Sequence, residues 1–166
     1  MNTTGLHIRN ATVADAAAIN DILSYYVIHT TTTFNTEPLS LEDREKTLTG
    51  RAEIHPATVT EIGGRVVGFG AMGAFRPRAA YARTVELTVN VHRDFHRRGI
   101  GRAILADLIA RARALGLHAL VGGCCAENTP SIALLEAAGF TQVGRFPEVG
   151  RKFDRWLDVV FLQLTL

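Results

Sequence analysis

The sequence predicts a single α+β domain over residues 1–166, in which a mixed, mostly antiparallel sheet is flanked by helices. Three observations carry that expectation. The 166 residues match the roughly 150 of one typical domain. Strict apolar/polar alternation over 83–91 leads, through a basic glycine-containing turn, into a long amphipathic helix over 100–115. Two more pairs of strand-like runs, 58–62 with 66–75 and 140–146 with 156–164, are joined without a helix and read as antiparallel neighbours.

In chain order, Leu6 to Asn10 is a short strand, and Asp15 to Ile28 places Ile19, Ile22, Leu23, Tyr26 and Val27 at helical spacing. Residues 29–38, with four consecutive threonines and Pro38, resist helix and form a long loop of the kind that often carries function. Ser40, three residues before Asp43, starts a mostly polar, exposed helix to Arg51. Thr58–Ile62 and Val66–Phe75 flank Gly63-Gly64, a two-residue hairpin turn. In the run that follows Arg76-Pro77-Arg78, Val85, Leu87, Val89 and Val91 point to the core, and Thr84, Glu86, Thr88 and Asn90 form a polar side. The helix from Ile100 carries Ile104, Leu105, Leu108, Ile109, Ala112 and Leu115 and stops at Gly116. His118 to Cys125 is a buried strand. Thr129-Pro130 then supplies an N-cap and first-turn proline for a helix over 131–138 that Gly139 ends.

Composition excludes several classes. Hydrophobic residues are 47% and charged residues 20%, the balance of a folded chain and not of a disordered one. A net charge of +2 is too small for a nucleic-acid stripe, and no apolar run reaches the ~18 residues of a membrane span. With no signal-like N-terminus, a cytoplasmic protein is expected, without nucleic-acid or membrane partners. Cys124 and Cys125 are adjacent, which disfavours a mutual disulfide, and they read as two buried thiols. No third ligand accompanies them or the His92/His96 pair, so no metal is expected.

The chemistry-bearing unit is the strand 85–91, the turn His96-Arg97-Arg98-Gly99-Ile100-Gly101 and the helix behind it. A helix start offers unpaired N–H groups and a positive dipole end, and glycines let a phosphate approach without meeting a Cβ. Each such contribution is only ~0.3–1 kcal/mol when exposed, so firm binding needs several N–H donors together with Arg97, Arg98 or Arg102. A dinucleotide fingerprint fails, because Ile104 stands where its third glycine belongs; a Walker phosphate loop fails because neither Lys46 nor Lys152 lies in a Gly-Lys-Ser/Thr context.

The turn resembles the acetyl-coenzyme A loop of GNAT-type N-acetyltransferases, Gln/Arg-x-x-Gly-x-Gly/Ala, with His96 in the first position. The resemblance runs through nearly the whole chain. Phe34-Asn35-Thr36-Glu37-Pro38, Thr84-Val85-Glu86-Leu87-Thr88-Val89, Asn128-Thr129-Pro130-Ser131 and Glu136-Ala137-Ala138-Gly139-Phe140 are similar to the phosphinothricin and methionine sulfoximine acetyltransferase branch. It implies the GNAT fold, with the sheet splayed between the strand ending at Val91 and the one ending near Cys125. It further implies acetyl-CoA as co-substrate, a small amino-acid-like primary amine as acceptor, and a homodimer.

The resemblance also implies roles. Glu86 is the base that deprotonates the acceptor ammonium, a step that acetyl transfer needs because primary amines are protonated near pH 7. The backbone of Val89, Asn90 and Val91 binds the pantetheine arm as an added strand. Main-chain N–H groups from Arg97, Arg98, Gly99, Ile100, Gly101 and Arg102 hold the pyrophosphate, with Asn128 and Ser131 also on the coenzyme. Direct attack in a ternary complex follows, since pre-organising the two reactants can supply up to roughly 7–11 kcal/mol. For the acceptor, Arg76 and Arg78 offer forked donors to a carboxylate, and Phe34, Tyr81 and Thr88 line the pocket. Leu135 stands where the phosphinothricin enzymes carry His, and Asn90 where an aromatic is expected. The proton source for the departing thiolate is therefore left to water or Cys125. Two other readings are a coenzyme A-binding module without turnover, and acetylation of polyamines, antibiotics or peptide N-termini.

Overall fold

A computed structural model describes residues 5–166. Its strands are β1 (Leu6–Asn10), β2 (Ala57–Ile62), β3 (Arg65–Ala74), β4 (Thr84–Val91), β5 (Ala119–Cys125), β6 (Thr141–Lys152) and β7 (Arg155–Thr165). The helices are α1 (Ala16–His29), α2 (Leu41–Thr49), α3 (Ile100–Ala114) and α4 (Thr129–Ala137). One seven-stranded sheet runs β1-β2-β3-β4-β5-β7-β6. Every neighbouring pair is antiparallel except β4 and β5, which the α3 crossover makes parallel.

The sheet is covered on both faces. Ile19 of α1 packs with Ala57, Val59, Phe69 and Ala71, while Ile104, Leu105 and Leu108 of α3 pack with Met72, Val85 and Leu120. Period-2 alternation along β3 sends Phe69 and Ala71 to α1 and Gly68 and Gly70 to α3. The glycines set how closely α3 approaches: a Cβ on Gly70 would lie 2.5 Å from Ile104 Cγ2, and one on Gly68 would lie 2.7 Å from Ile104 Cδ1. The polar face of β4 is therefore turned toward the α1 side of the sheet and not toward bulk water, with Asn90 buried and Glu86 half-buried.

Two local expectations are corrected. The N-cap of α4 is Asn128, whose Oδ1 accepts from Ser131 N–H at 3.3 Å; Thr129 and Pro130 occupy the first helical positions. The last two strands are longer than their apolar patterns suggest. A register shift between Phe146 and Gly150 absorbs Pro147 and leaves Glu148 at φ 49°, and β6 then resumes to Lys152. Asp158 closes that irregularity by accepting from Glu148 N–H at 2.8 Å and from Arg145. A proline and glycine that normally end a strand are here inside a bulge.

At the opposite end of the sheet, Arg9 on β1 donates to both carboxylate oxygens of buried Asp15 at 2.7 Å and to Glu61 on β2 at 2.6 Å. The Arg9 hydrogen bonds hold the Asp15 pKa down at about 2 against its desolvation. Unfolded, the group titrates near ~3.9, so it stabilises the fold above that pH and the contribution is lost as pH falls toward 2. Asp15→Asn is expected to cost about 2 kcal/mol at pH 7 and to flatten this acid limb in urea titrations between about pH 5 and 2. Gly70→Ala should lower stability by about 1–3 kcal/mol in the same measurement, because Ile104 is β-branched, fully buried and cannot swing aside.

Candidate active site

β4 and β5 pair only at Thr84–Ala119, Val85–Leu120 and Glu86–Val121. Beyond Glu86 the two strands separate, and β5 continues to Cys125 with β7 as its partner. His92 N–H bonds the Val67 carbonyl, and Val91 is registered with Gly68. The antiparallel hydrogen-bond alternation thus turns the peptide groups of Asn90 toward β3 and those of Leu87, Val89 and Val91 toward the opening. An extended ligand finds a ready strand edge there.

A cavity of about 610 Å³ occupies this split and runs beneath α1 and α2. Its wall includes Glu86, Thr88 and Asn90 from β4, Gly122 to Cys125 from β5, Asn128 and Ser131 at the start of α4, and Phe34 from the long loop. Glu86 stands at the last paired residue of β4, over Gly123, where an added Cβ would come within 3.2 Å of its Oε1. Burial raises the Glu86 pKa, and the positive charge of Arg76 opposes this. On the other face of β5, Leu135 lies so close over Gly122 that a Cβ would come within 2.6 Å of its Cδ1. The adjacent glycines thus give one side to a leucine and the other to the carboxylate. Burial pushes the Cys124 thiol up to about 11, with the neighbouring Cys125 adding to it.

The turn after β4 is shaped for an anion. Arg97 and Gly99 both take positive φ, 60° and 79°, and Gly99 caps α3 in the left-handed region. Ala103 N–H bonds the Gly99 carbonyl, so the N–H groups just before it have no acceptor in the helix. A Cβ on Gly99 would meet nothing within 4 Å. Arg98 folds over the Phe95 ring at 4.9 Å and donates to the Asp94 carbonyl, while Arg97 and Arg102 are exposed. His96, in the first position of the turn, has its Nε2 2.7 Å from the Tyr26 hydroxyl and 3.1 Å from the Val91 carbonyl. The Tyr26 hydroxyl donates to that same carbonyl at 2.5 Å, and burial raises its pKa to about 12.

The remaining residues divide by place. Phe34, Thr88, Asn128 and Ser131 line the cavity with Glu86. Arg76, Arg78 and Tyr81 lie outside its wall: Arg76 stacks on Phe75 at 4.6 Å, Tyr81 packs edge-on against the same ring, and Arg78 is exposed before a 3-10 turn. The cavity wall also holds Arg44 and Arg51, which the sequence pattern does not single out. Arg44 is set apart only in the folded chain, where it lies on the less exposed side of the polar α2.

The Phe34 loop is held at several points. Thr31 donates to Glu127 at 3.0 Å, Asn128 Nδ2 donates to Thr32 Oγ1 at 3.3 Å, and the buried Lys152 ammonium donates to the Thr33 carbonyl at 2.7 Å. Phe34 itself rests on Gly150, where a Cβ would overlap its ring at 2.2 Å. Among the described residues, no group of His, Cys, Asp and Glu is arranged to hold a metal ion.

Residues 8–161 match the acetyltransferase (GNAT) domain, and the chain belongs to that family. It is 38% identical to the L-methionine sulfoximine/L-methionine sulfone acetyltransferase of Salmonella typhimurium, across 96% of this chain and 94% of that one. Identity to the phosphinothricin N-acetyltransferase of Streptomyces viridochromogenes is 35%, over 95% and 86% of the two chains. An acetyltransferase from Salmonella typhimurium, solved with its cofactor acetyl-CoA, superposes with a TM-score of 0.94 at 37% identity, covering 98% of this chain and 95% of the other. The GNAT fold, with its mixed sheet opened at β4 and β5, is the one expected from the sequence.

Gly101 separates ligand effects from folding effects. A Cβ there would meet Leu134 at 3.4 Å and Val91 at 3.7 Å, ordinary contacts, and alanine favours a helix by up to about 1 kcal/mol over glycine. Gly101→Ala should therefore keep or raise the melting temperature while weakening coenzyme A binding by about tenfold, roughly 1.4 kcal/mol, in calorimetry. Gly99→Ala, at φ 79°, should instead lose about 1–2 kcal/mol of stability.

Proposed function

We propose that this chain transfers the acetyl group of acetyl-CoA to the primary amine of a small amino-acid-like acceptor, of the methionine sulfoximine, methionine sulfone or phosphinothricin kind. The observation that carries the reading is Glu86: a half-buried carboxylate at the point where β4 and β5 part, facing a cavity large enough for a small acceptor. The relatives named for these substrates share nearly the whole chain with it.

Bound acetyl-CoA supplies an activated acetyl group as a thioester. The outward peptide groups of Val89 and Val91 align the pantetheine arm along β4, and the N–H groups from Arg97 to Arg102 hold the pyrophosphate, with Arg97, Arg98 and Arg102 adding positive charge. Asn128 and Ser131 flank the arm from the start of α4. Glu86 takes one proton from the acceptor ammonium, and the freed amine attacks the thioester carbonyl directly in a ternary complex. The second N–H proton leaves as the carbon–sulfur bond breaks and ends on the thiolate. Phe34 and Thr88 shape the acceptor pocket; Arg76, outside the wall but with its charge acting on the Glu86 carboxylate, is assigned to the acceptor's α-carboxylate together with Arg78. Leu135 is apolar and has no proton to pass, which leaves water or Cys125 to carry that proton to the thiolate.

The enzyme is proposed to work as a cytoplasmic homodimer. Among the described residues no helix is long and apolar enough to cross a membrane. Val143, Phe146, Val149, Phe153 and Trp156 are all exposed on the β6–β7 hairpin, an apolar group suited to a second copy.

Thiol release from acetyl-CoA, assayed across a panel of amines, tests the reaction. Glu86→Gln is expected to reduce kcat by about 10²–10⁴-fold without loss of coenzyme binding. The base works deprotonated, so wild-type activity should fall as pH drops through the Glu86 pKa, at a value above the usual ~4.3 of a glutamate. Wild-type turnover in Glu86→Gln between pH 6 and 9 would remove Glu86 from the mechanism.

A further inference from the structure

Among the described residues, Arg44 is the cation of the cavity wall that meets neither a carboxylate nor a backbone carbonyl. Arg9, Arg111, Arg145, Arg151 and Arg155 each meet a carboxylate. Arg51, also on the wall, gives its guanidinium to the backbone carbonyls of His55, Pro56 and Met72. Arg44 has a single weak contact, Nε to Asn20 Oδ1 at 3.4 Å, and Asn20 is itself fixed by donating to the Leu39 carbonyl at 2.9 Å. Among the described residues, neither terminal nitrogen of Arg44 has an acceptor. The group is half-buried, and burial alone displaces its pKa downward, with no carboxylate to offset it. A guanidinium cannot shed its proton, and this one, half-buried with its terminal nitrogens still open to the cavity, is a standing positive charge for an entering anion.

We propose that Arg44 anchors the far, anionic end of the acceptor, and that the pocket is built for amino acids whose side chains end in a carboxylate or phosphinate. This rests on the acetyltransferase reading above. The acceptor amine must lie at Glu86, and its α-carboxylate, one carbon away, falls where Arg76 also acts. Arg44 reaches the same cavity from α2, not from the β4–β5 vertex where Glu86 stands. It therefore serves the other end of the acceptor. The forked guanidinium suits two oxygens on one phosphorus or carbon.

Phosphinothricin and methionine sulfone make a matched pair of probes, with the same amino-acid head and chain but an anionic phosphinate against a neutral sulfone. The wild-type enzyme should show the lower KM for phosphinothricin. Arg44→Gln should raise that KM by about 10- to 100-fold, the worth of a charge-assisted contact, and leave the KM for methionine sulfone and for acetyl-CoA within about threefold. Arg44→Lys should recover part of the loss, since it restores charge without the fork. Equal KM values for the two acceptors in the wild type, or a parallel shift of both in Arg44→Gln, would overturn the anchor while leaving acetyl transfer intact. Calorimetry of both probes with the coenzyme A-loaded protein covers the converse. Arg44-dependent binding of phosphinothricin with no acetylation of any amine would support the anchor and refute the proposed reaction.

Discussion

The separation of β4 from β5 after Glu86 and Val121 governs the rest of the structure. Parallel strands normally remain paired because an unbonded peptide edge is costly, so a sheet that opens in its middle must offer that edge to something else. Here one event produces three features: the peptide groups of Leu87, Val89 and Val91 become available, a cavity opens beneath α1 and α2, and Glu86 sits at the vertex. The two faces of the sheet then differ in task. The α3 face is packed tightly enough that Gly68 and Gly70 admit no side chain, and it holds β4 rigid while its other face is given to chemistry.

The cavity wall is assembled from parts distant in sequence, and its fixings are electrostatic as well as apolar. Lys152 on β6, Asn128 before α4 and Glu127 tie successive threonines of the loop that carries Phe34. Burying an ammonium on a single carbonyl is expensive, and the Lys152 pKa falls through desolvation, so this fixing is strong only while the surrounding loop excludes water. The loop, the hairpin and the cavity wall are therefore one mechanical unit.

Much of this was legible in the chain. The periods of β4 and α3, the Gly63-Gly64 turn and the Ser40 cap are local signals, and each element stands where its pattern puts it. The turn before α3 reads as an anion site from its glycines and helix start, whereas the roles given to it and to Glu86 come from the resemblance. What could not be read locally depends on tertiary contact. The extra length of β6 needs Asp158 to close a bulge around Pro147, and the Asn128 cap outranks Thr129 through its reach to Ser131 N–H. Arg44 looks like any arginine on a polar helix until the fold withholds a carboxylate from it. Alternation alone does not tell whether the polar side of β4 faces a cavity or the solvent; only the resemblance points Glu86 and Thr88 to a pocket.

The contact of Tyr26 and His96 with the Val91 carbonyl sets a ruler on the open edge. With the Tyr26 phenol donating at 2.5 Å and the His96 Nε2 only 3.1 Å away, that oxygen is already occupied from the α1 side. A guest chain lying along β4 can still take the Val91 N–H but must find its next donor-accepting oxygen upstream, at Val89. On the proposed coenzyme path such a stop would set how far the guest slides, and so the depth to which its reactive end is carried toward Glu86.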